Sequence, residues 1–139
     1  MLFRSDPLLS ELASSRLTPD QVVVIGFDSQ ILKSLKERDP KWQVAWLCSF
    51  GKRANGKPQQ APAKILKTLM EIKALALMSG GGDVDKNLLE KIRAAGIEHY
   101  VWTVNDPKLA ATYRAQGVNA IITDLPAEML AALRTSANS

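Results

Sequence analysis

Hydrophobic residues occur along the chain in short continuous runs, which alternate with longer stretches of helical spacing. Five runs stand out: residues 22–27, 44–48, 75–78, 100–104 and 118–122. Runs of this kind are typical of strands that are buried on both faces, as in a parallel sheet flanked by helices. The pattern therefore predicts an α/β protein of repeated strand–helix units with about five parallel strands.

The stretches between the runs predict helices, and their ends carry recognisable signals. The predicted helices cover residues 7–16, 29–37, 61–72, 85–95, 107–115 and 126–134. A proline opens three of them, where a backbone N–H is not needed, and Asp6 and Asp106 precede two of these prolines as candidate caps. Gly96 and Gly117 each follow a helix, where a left-handed glycine turns the chain back toward the sheet. Residues 51–60, with two glycines and a proline, predict a longer loop.

Parallel strands joined by helical crossovers fit two architectures. One is an open doubly wound flavodoxin-like sheet, and the other is part, about half, of a TIM-type (β/α)₈ barrel. The hydrophobic pattern is the same for both, and in both the ligands bind on the loops that follow the strands. The ligand-binding candidates are therefore the side chains at the strand ends: Phe27, Asp28, Ser79, Gly81, Trp102, Asn105 and Asp124.

Composition narrows the class of protein. The 139 residues, 46% of them hydrophobic, suffice for a single domain, with a helix in residues 1–19, the strand–helix units in 20–134 and a tail at 135–139. The net charge of +4 comes from 18 basic and 14 acidic residues that are spread along the chain without a basic run. We therefore do not expect nucleic acid as a partner.

Cysteine content and hydropathy indicate a compartment. The single cysteine, Cys48, lies in an apolar run, where burial is expected, and it excludes an internal disulfide. The first residues lack the basic and apolar regions of a secretory signal, and no run of about 18 apolar residues occurs. We therefore expect a soluble protein of the reducing cytoplasm that does not interact with a membrane.

Three segments at the strand ends are distinctive. They are Val22-Val-Val-Ile-Gly-Phe-Asp28, Val101-Trp-Thr-Val-Asn-Asp-Pro107 and Gly117-Val-Asn-Ala-Ile-Ile-Thr-Asp-Leu-Pro126. In this order they resemble the last part of the glycerophosphodiester phosphodiesterase family, whose members have a Ser-Phe-Asp element, a Trp-Thr-Val-Asn strand end and a Gly-Val-Asp-x-Ile-x-Thr-Asp-x-Pro segment. The resemblance spans residues 20–134. It implies the second half of a (β/α)₈ barrel and favours that fold over the flavodoxin-like sheet.

The departures from the family concern its chemistry. The resemblance implies hydrolysis by two histidines as acid and base, one of them in a His-Arg-Gly strand end. It also implies a divalent cation that is held with the help of carboxylates from a Glu-x-Asp pair and a Glu-x-Lys element. We find none of these at a matching position, and the one histidine, His99, begins a strand, opposite the expected site. The tripeptide Glu71-Ile72-Lys73 matches the Glu-x-Lys pattern, but it lies at the end of a predicted helix. We therefore assign no catalytic residue, no metal ligand and no cofactor to this chain.

Two sets of candidates have a second interpretation. The turn Ser79-Gly-Gly-Gly-Asp83 could hold an anion with its backbone N–H groups, or be a plain turn in which Asp83 or Asp85 caps the next helix. Asp28 and Asp124 could bind a metal ion together, or each could cap a helix.

The tryptophans also allow more than one role. Trp102 could line a ligand pocket, as the resemblance implies for this position, or simply pack against its neighbours. Trp42 and Trp46 lie around the start and the body of a strand, where packing in the core is the default.

A half barrel would leave two sheet edges unpaired and one apolar face uncovered. Such surfaces drive association, so we expect a homo-oligomer, most simply a two-fold dimer, or a complex with a complementary half-barrel chain. Three functions remain open. The chain is a non-catalytic protein that acts through self-association or partner binding, a phosphodiester hydrolase when a partner chain completes it, or a binder of a small phosphorylated ligand.

Overall fold

The computed structural model describes residues 6–49, 60–80 and 84–137 of the chain. Within these residues six helices alternate with five strands. The helices are α1 (Asp6–Ser14), α2 (Ser29–Arg38), α3 (Pro62–Glu71), α4 (Lys86–Ala94), α5 (Pro107–Ala115) and α6 (Pro126–Ala137). The strands are β1 (Val23–Gly26), β2 (Gln43–Cys48), β3 (Ala76–Gly80), β4 (Glu98–Trp102) and β5 (Ala120–Ile121). A 3₁₀ turn at Pro19–Gln21, which we did not predict, precedes β1.

The strands and helices lie where the hydrophobic pattern predicts them, but β4 ends before its apolar run does and β5 is much shorter than its run. The run at residues 100–104 extends past β4, because Val104 packs under α5 and α6 in a core cluster with Ala110 and Met129. The run at 118–122 contains only a two-residue β5, because Val118 belongs to the same cluster. Apolar residues of the loops therefore lengthened the predicted strands.

The sheet is parallel throughout, and its strands stand in chain order, β1-β2-β3-β4-β5. A flavodoxin-like sheet has the order 2-1-3-4-5, in which the first strand lies inside the sheet. Here β1 and β5 are the two edges. The prediction of a partial (β/α)₈ barrel is therefore confirmed, and the flavodoxin-like alternative is wrong.

One face of the sheet is covered by helices and forms the main core. Trp46, Cys48 and Leu77 of the sheet pack there against buried residues of α1 to α4, among them Leu35 and Leu69. Both predictions for this face are confirmed, since Trp42 and Trp46 are buried and so is Cys48. Burial raises the pKa of the Cys48 thiol to about 11, which keeps it in the unreactive protonated form.

The other face, which we call the open face, contains small and aromatic residues. Ala45, Ala76 and Met78 are buried in its middle, with Tyr100 and Trp102 packed beside them. No helix in the described ranges contributes to this cluster. Exposure increases toward both edges of the sheet, where the exposed large apolar residues are Val23, Ile25, Phe27 and Ile122.

The aspartate caps form at three helices. The carboxylates of Asp28, Asp85 and Asp106 accept backbone N–H groups in the first turns of α2, α4 and α5. Asp6 is the first described residue of α1, and its carboxylate forms an ion pair with Arg38 at 2.6 Å. Asp83 and the loop predicted at 51–60, apart from Gln60, lie outside the described residues.

The helix ends contain the left-handed residues that the sequence predicts, and one more. Gly96 and Gly117 have φ angles of 75° and 85°. Lys73, after α3, has a φ of 50° and adopts the same conformation without being a glycine. In each case the next residue donates its N–H to a carbonyl five positions earlier, which closes the helix end. No helix in the described part of the chain is long and apolar enough to cross a membrane.

Candidate functional site

The aromatic candidates meet at the carboxyl ends of the strands. Phe27 follows β1 and Trp102 ends β4, and their rings contact edge to face with centroids 6.0 Å apart and planes at 89°. Phe27 is 62% exposed, whereas Trp102 is half-buried. The indole Nε1 of Trp102 is buried and has no hydrogen-bond partner among the residues described. The indole N–H is therefore both unpaired among the described residues and closed off from solvent.

Asn105, Thr123 and Asp124 form a hydrogen-bonded cluster beyond the ends of β4 and β5. The Asn105 amide nitrogen donates to the Asp124 carboxylate at 3.1 Å. The Asn105 carbonyl oxygen accepts from the Thr123 hydroxyl at 2.9 Å and from the Asp124 backbone N–H at 3.0 Å. The three side chains therefore hold two strand-end loops together, and Asn105 and Asp124 are exposed to solvent.

The two aspartate candidates have separate partners. Asp28 accepts from the backbone N–H groups of Gln30 and Ile31 at 2.9 and 3.4 Å, so its carboxylate caps α2 as predicted. Asp124 is bound to Asn105. Among the described residues no three metal-ligating side chains come together.

Ser79 lies away from the strand-end residues. Its side chain is fully buried and points to the helix-covered face, where its hydroxyl is 2.7 Å from the His99 Nε2. Gly81 lies outside the described residues. The structure thus brings together Phe27 with Trp102 and Asn105 with Asp124, but not Ser79 with either pair.

The Ser79–His99 pair is the feature that sequence reasoning missed. His99 is the second residue of β4 and is 2% exposed. Burial, together with the nearby positive charge of Arg93, lowers the pKa of His99 to about 4, so the imidazole is neutral at pH 7. Strand alternation was the available signal, since His99 shares a face with Val101 two residues later.

Comparison with known proteins places this fold in a family. A model of the glycerophosphoryl diester phosphodiesterase family matches residues 3–128. The chain belongs to this family. A comparison with curated proteins found no match.

Solved structures of the family have the same fold over about half of their length. A phosphodiesterase from Oleispira antarctica, in complex with the product sn-glycerol-3-phosphate, superposes with a TM-score of 0.73 at 21% identity, over 92% of this chain and 48% of that one. A glycerophosphodiester phosphodiesterase from Parabacteroides distasonis gives 0.64 at 24% identity, over 96% and 50%. One from Thermotoga maritima gives 0.64 at 17% identity, over 96% and 52%. This glycerophosphodiester phosphodiesterase-like chain therefore spans about half the length of the structures it matches.

Proposed function

We propose that the chain is one part of a phosphodiester-hydrolysing barrel, that it acts by association through its open face and edge strands, and that it has no hydrolase activity by itself. The observation that carries the proposal is a parallel sheet of five strands in which the described helices all pack on one face. A (β/α)₈ barrel has eight strands. Three further strands, on whichever polypeptide carries them, would connect β5 back to β1.

The edges of the sheet support association. Ile25 of β1 is 53% exposed, and Phe27 and Ile122 next to the edge strands are exposed as well. Edge strands present unpaired backbone N–H and C=O groups, and apolar side chains beside them strengthen the tendency to pair with another segment.

The unpaired indole of Trp102 supports the same proposal. A buried N–H without an acceptor costs about 1–3 kcal/mol relative to a satisfied one. The Nε1 of Trp102 lies on the open face near the strand ends. An acceptor on the completing segment, or on a ligand held there, would remove this cost.

Two sources of the completing strands lead to different functions. A second copy would give a two-fold dimer with ten strands and would add none of the acid, base and cation-binding groups that the family uses. A complementary three-stranded segment would close an eight-stranded barrel and would bring those groups with it. Hydrolysis is therefore expected only from the second assembly.

Light scattering on the purified chain tests association. We expect the average mass to rise above that of one chain, 15.2 kDa, across the micromolar range. Ile25→Lys should lower the mass to that of a monomer, because it places a charge at the open face. Met70→Lys is the matched control, since Met70 is 58% exposed but lies on α3. A parent chain that is monomeric throughout would contradict the proposal.

An assay with glycerophosphocholine, with and without Mg²⁺ or Ca²⁺, tests the absence of activity. We expect no choline release by the purified chain. Metal-dependent turnover that co-elutes with the chain and is lost in Asp124→Asn would show that the chain is itself a hydrolase.

The strand ends also support a second candidate, the binding of a small phosphorylated ligand. The exposed Asn105 amide supplies N–H groups at the end of β4, and N–H donors suit phosphate oxygens. The Oleispira antarctica relative was solved with sn-glycerol-3-phosphate. If this candidate is right, sn-glycerol-3-phosphate should raise the melting temperature of the chain, and Asn105→Ala should abolish the shift. Equal shifts with both chains would count against it.

A further inference from the structure

Helix α1 lies at the β1 edge of the sheet, on the helix-covered face. Helix α2 contacts both β1 and β2, so the position over that strand pair is occupied. Helix α1 packs beside α2, because Leu12 belongs to the main core together with Leu35 of α2, and Asp6 forms an ion pair with Arg38 at 2.6 Å. It precedes β1 along the chain. Helix α1 therefore lies on the outer side of β1, away from β2.

Helix α6 has the equivalent position at the β5 edge. It packs against α5, where the Arg114 guanidinium donates to the Leu133 carbonyl at 2.7 Å and Met129 is buried. A cavity of about 440 Å³ lies between α6 and β5, with Ile121 of the strand and Met129 and Leu130 of the helix in its lining. Leu130 is 54% exposed. Apolar surface of α6 is thus available to a strand beyond β5.

A parallel sheet of this kind has room for one helix over each pair of neighbouring strands. Each helix connects one strand to the next and packs over the two. The axes of packed helices are about 8–10 Å apart, so two helices do not fit side by side over the same pair. A strand that pairs with β5 must therefore fit under α6 without a helix of its own at that pair, and the same holds for a strand that pairs with β1 under α1.

A second copy of the chain does not meet this requirement. If its β1 paired with β5, its α1 would lie over the same strand pair as α6. Pairing of β5 with β5, or of β1 with β1, would likewise bring α6 or α1 to one position twice. A closed dimer would contain twice five strands but twice six helices. Self-association is therefore limited to contacts between open faces, and it leaves the edge strands unpaired.

We propose that the partner at the two edges is a segment of three strands and two helices that begins and ends with a strand. This inference rests on the association proposed above and specifies its partner. The first strand of the segment pairs with β5 under α6, and the last strand pairs with β1 under α1. Eight strands are then covered by eight helices, as in a complete barrel. Apolar side chains of the first strand would fill the cavity beside β5.

A fusion protein tests the proposal with a segment that the chain itself supplies. Residues 74–123 contain β3, α4, β4, α5 and β5, and so three strands and two helices with a strand at each end. A flexible Gly-Ser linker joins them to the front of the full chain.

The backbone N–H of Ile121 reports whether the β5 edge is paired. Ile122 donates its N–H to the Val101 carbonyl and accepts from the Val104 N–H. The backbone groups of its neighbour Ile121 therefore point away from β4, toward the open edge. In the fusion protein the Ile121 amide hydrogen, in the original copy of β5, should exchange at least about tenfold more slowly than in the parent chain.

A longer fusion is the matched control. Residues 60–123 add α3 in front of the same three strands, and this helix would have to share the position of α6. The Ile121 amide hydrogen should then exchange as fast as in the parent. Protection of Ile121 in the longer fusion, or its absence in the shorter one, would overturn the proposal.

The parent chain alone gives a second test. The Ile121 amide hydrogen should exchange equally fast in dilute and in concentrated solution, because a second copy does not pair with β5. Protection that grows with concentration would show that a second copy is the partner, and would overturn the proposal. A parent chain that is monomeric by light scattering contradicts the association proposed above, whereas the two fusions still decide what the edges accept.

Discussion

The side chain of Asn105 binds Asp124 in both directions, donating to its carboxylate at 3.1 Å and accepting from its backbone N–H at 3.0 Å. It thereby connects the loop after β4 with the loop after β5. Strand β5 has two residues, so few backbone hydrogen bonds join it to β4. The Asn105 side chain thus supplements the shortest strand pairing of the sheet.

Asn105→Ala should destabilise the chain by about 1 kcal/mol, because its hydrogen bonds are made at an exposed site. The urea midpoint measures the change. Asn87→Ala is the control, since Asn87 is exposed in the first turn of α4, where alanine is well tolerated. Equal stability of Asn105→Ala and the parent would mean that this side chain does not support the edge of the sheet.

Ser79→Ala should destabilise the chain by about 1–3 kcal/mol, because it removes the partner of His99 Nε2 and leaves both ring nitrogens unpaired in a buried position. Ser34→Ala, in the middle of α2, is the control and should have little effect. Denaturant unfolding compares the two. A neutral result for Ser79→Ala would indicate that water replaces the hydroxyl.

The stability of the chain should fall as the pH is lowered through the range where His99 titrates. The pKa of His99 is lowered from 6.5 to about 4, because burial first, and then the charge of Arg93, disfavour the protonated ring. The unfolded chain therefore binds the proton more readily than the folded chain does. The contribution of neutral His99 to the free energy of unfolding is fully present above pH 6.5 and is lost as the pH falls toward 4. The slope is at most about 1.4 kcal/mol per pH unit.

His99→Gln isolates this effect, because glutamine does not titrate. Above about pH 5, where most carboxylates stay ionised, the variant should lose the slope that the parent shows. The free energy of unfolding at several pH values is the measurement. Parallel curves for the two chains would assign the slope to other groups.

Leu69→Ala should cost about 2–5 kcal/mol, because Leu69 is 0% exposed in the core between α3 and the sheet. Met70→Ala, one residue later, should cost far less, since Met70 is 58% exposed. Urea unfolding of both variants tests whether α3 is seated as described. Comparable losses would mean that α3 is rotated about its axis.

Substitutions at two left-handed residues should have opposite signs. Gly96 has a φ of 75°, so Gly96→Ala should destabilise the chain by about 1–2 kcal/mol, although no atom lies within 4 Å of the added methyl group. Lys73 has a φ of 50°, so Lys73→Gly should relieve part of that cost and stabilise the chain by up to about 1 kcal/mol. Differential scanning calorimetry can resolve both changes. Shifts of the same sign would contradict this account.

Most of the fold follows from local signals, and the rest depends on pairings between distant residues. The caps at Asp28 and Asp106 and the glycine at position 117 act within one helix turn, so their neighbours in sequence suffice to predict them. Strand order depends on which segments pair across the chain. The family resemblance, rather than the hydrophobic pattern, therefore decided between the two architectures.

In the candidate site, too, local signals predict single residues, whereas the contacts between them depend on which strands are neighbours. Asn105 and Asp124 could be predicted one by one as strand-end residues, but their contact requires β4 and β5 to be neighbours. Ser79 was selected for its position near the end of β3. It lies two residues after Leu77, which packs under the helices, so strand alternation would have assigned Ser79 to the helix-covered face.

The chain-order arrangement of the sheet has a consequence for how the protein is made. Each strand pairs only with the strand before it and the strand after it along the chain, so every strand pairing closes over one helix and its loops. Units that contact only their neighbours along the chain can form one after another. Further strand–helix units could join at β1 or β5 without opening any existing pair. The sheet can thus grow by addition at its ends.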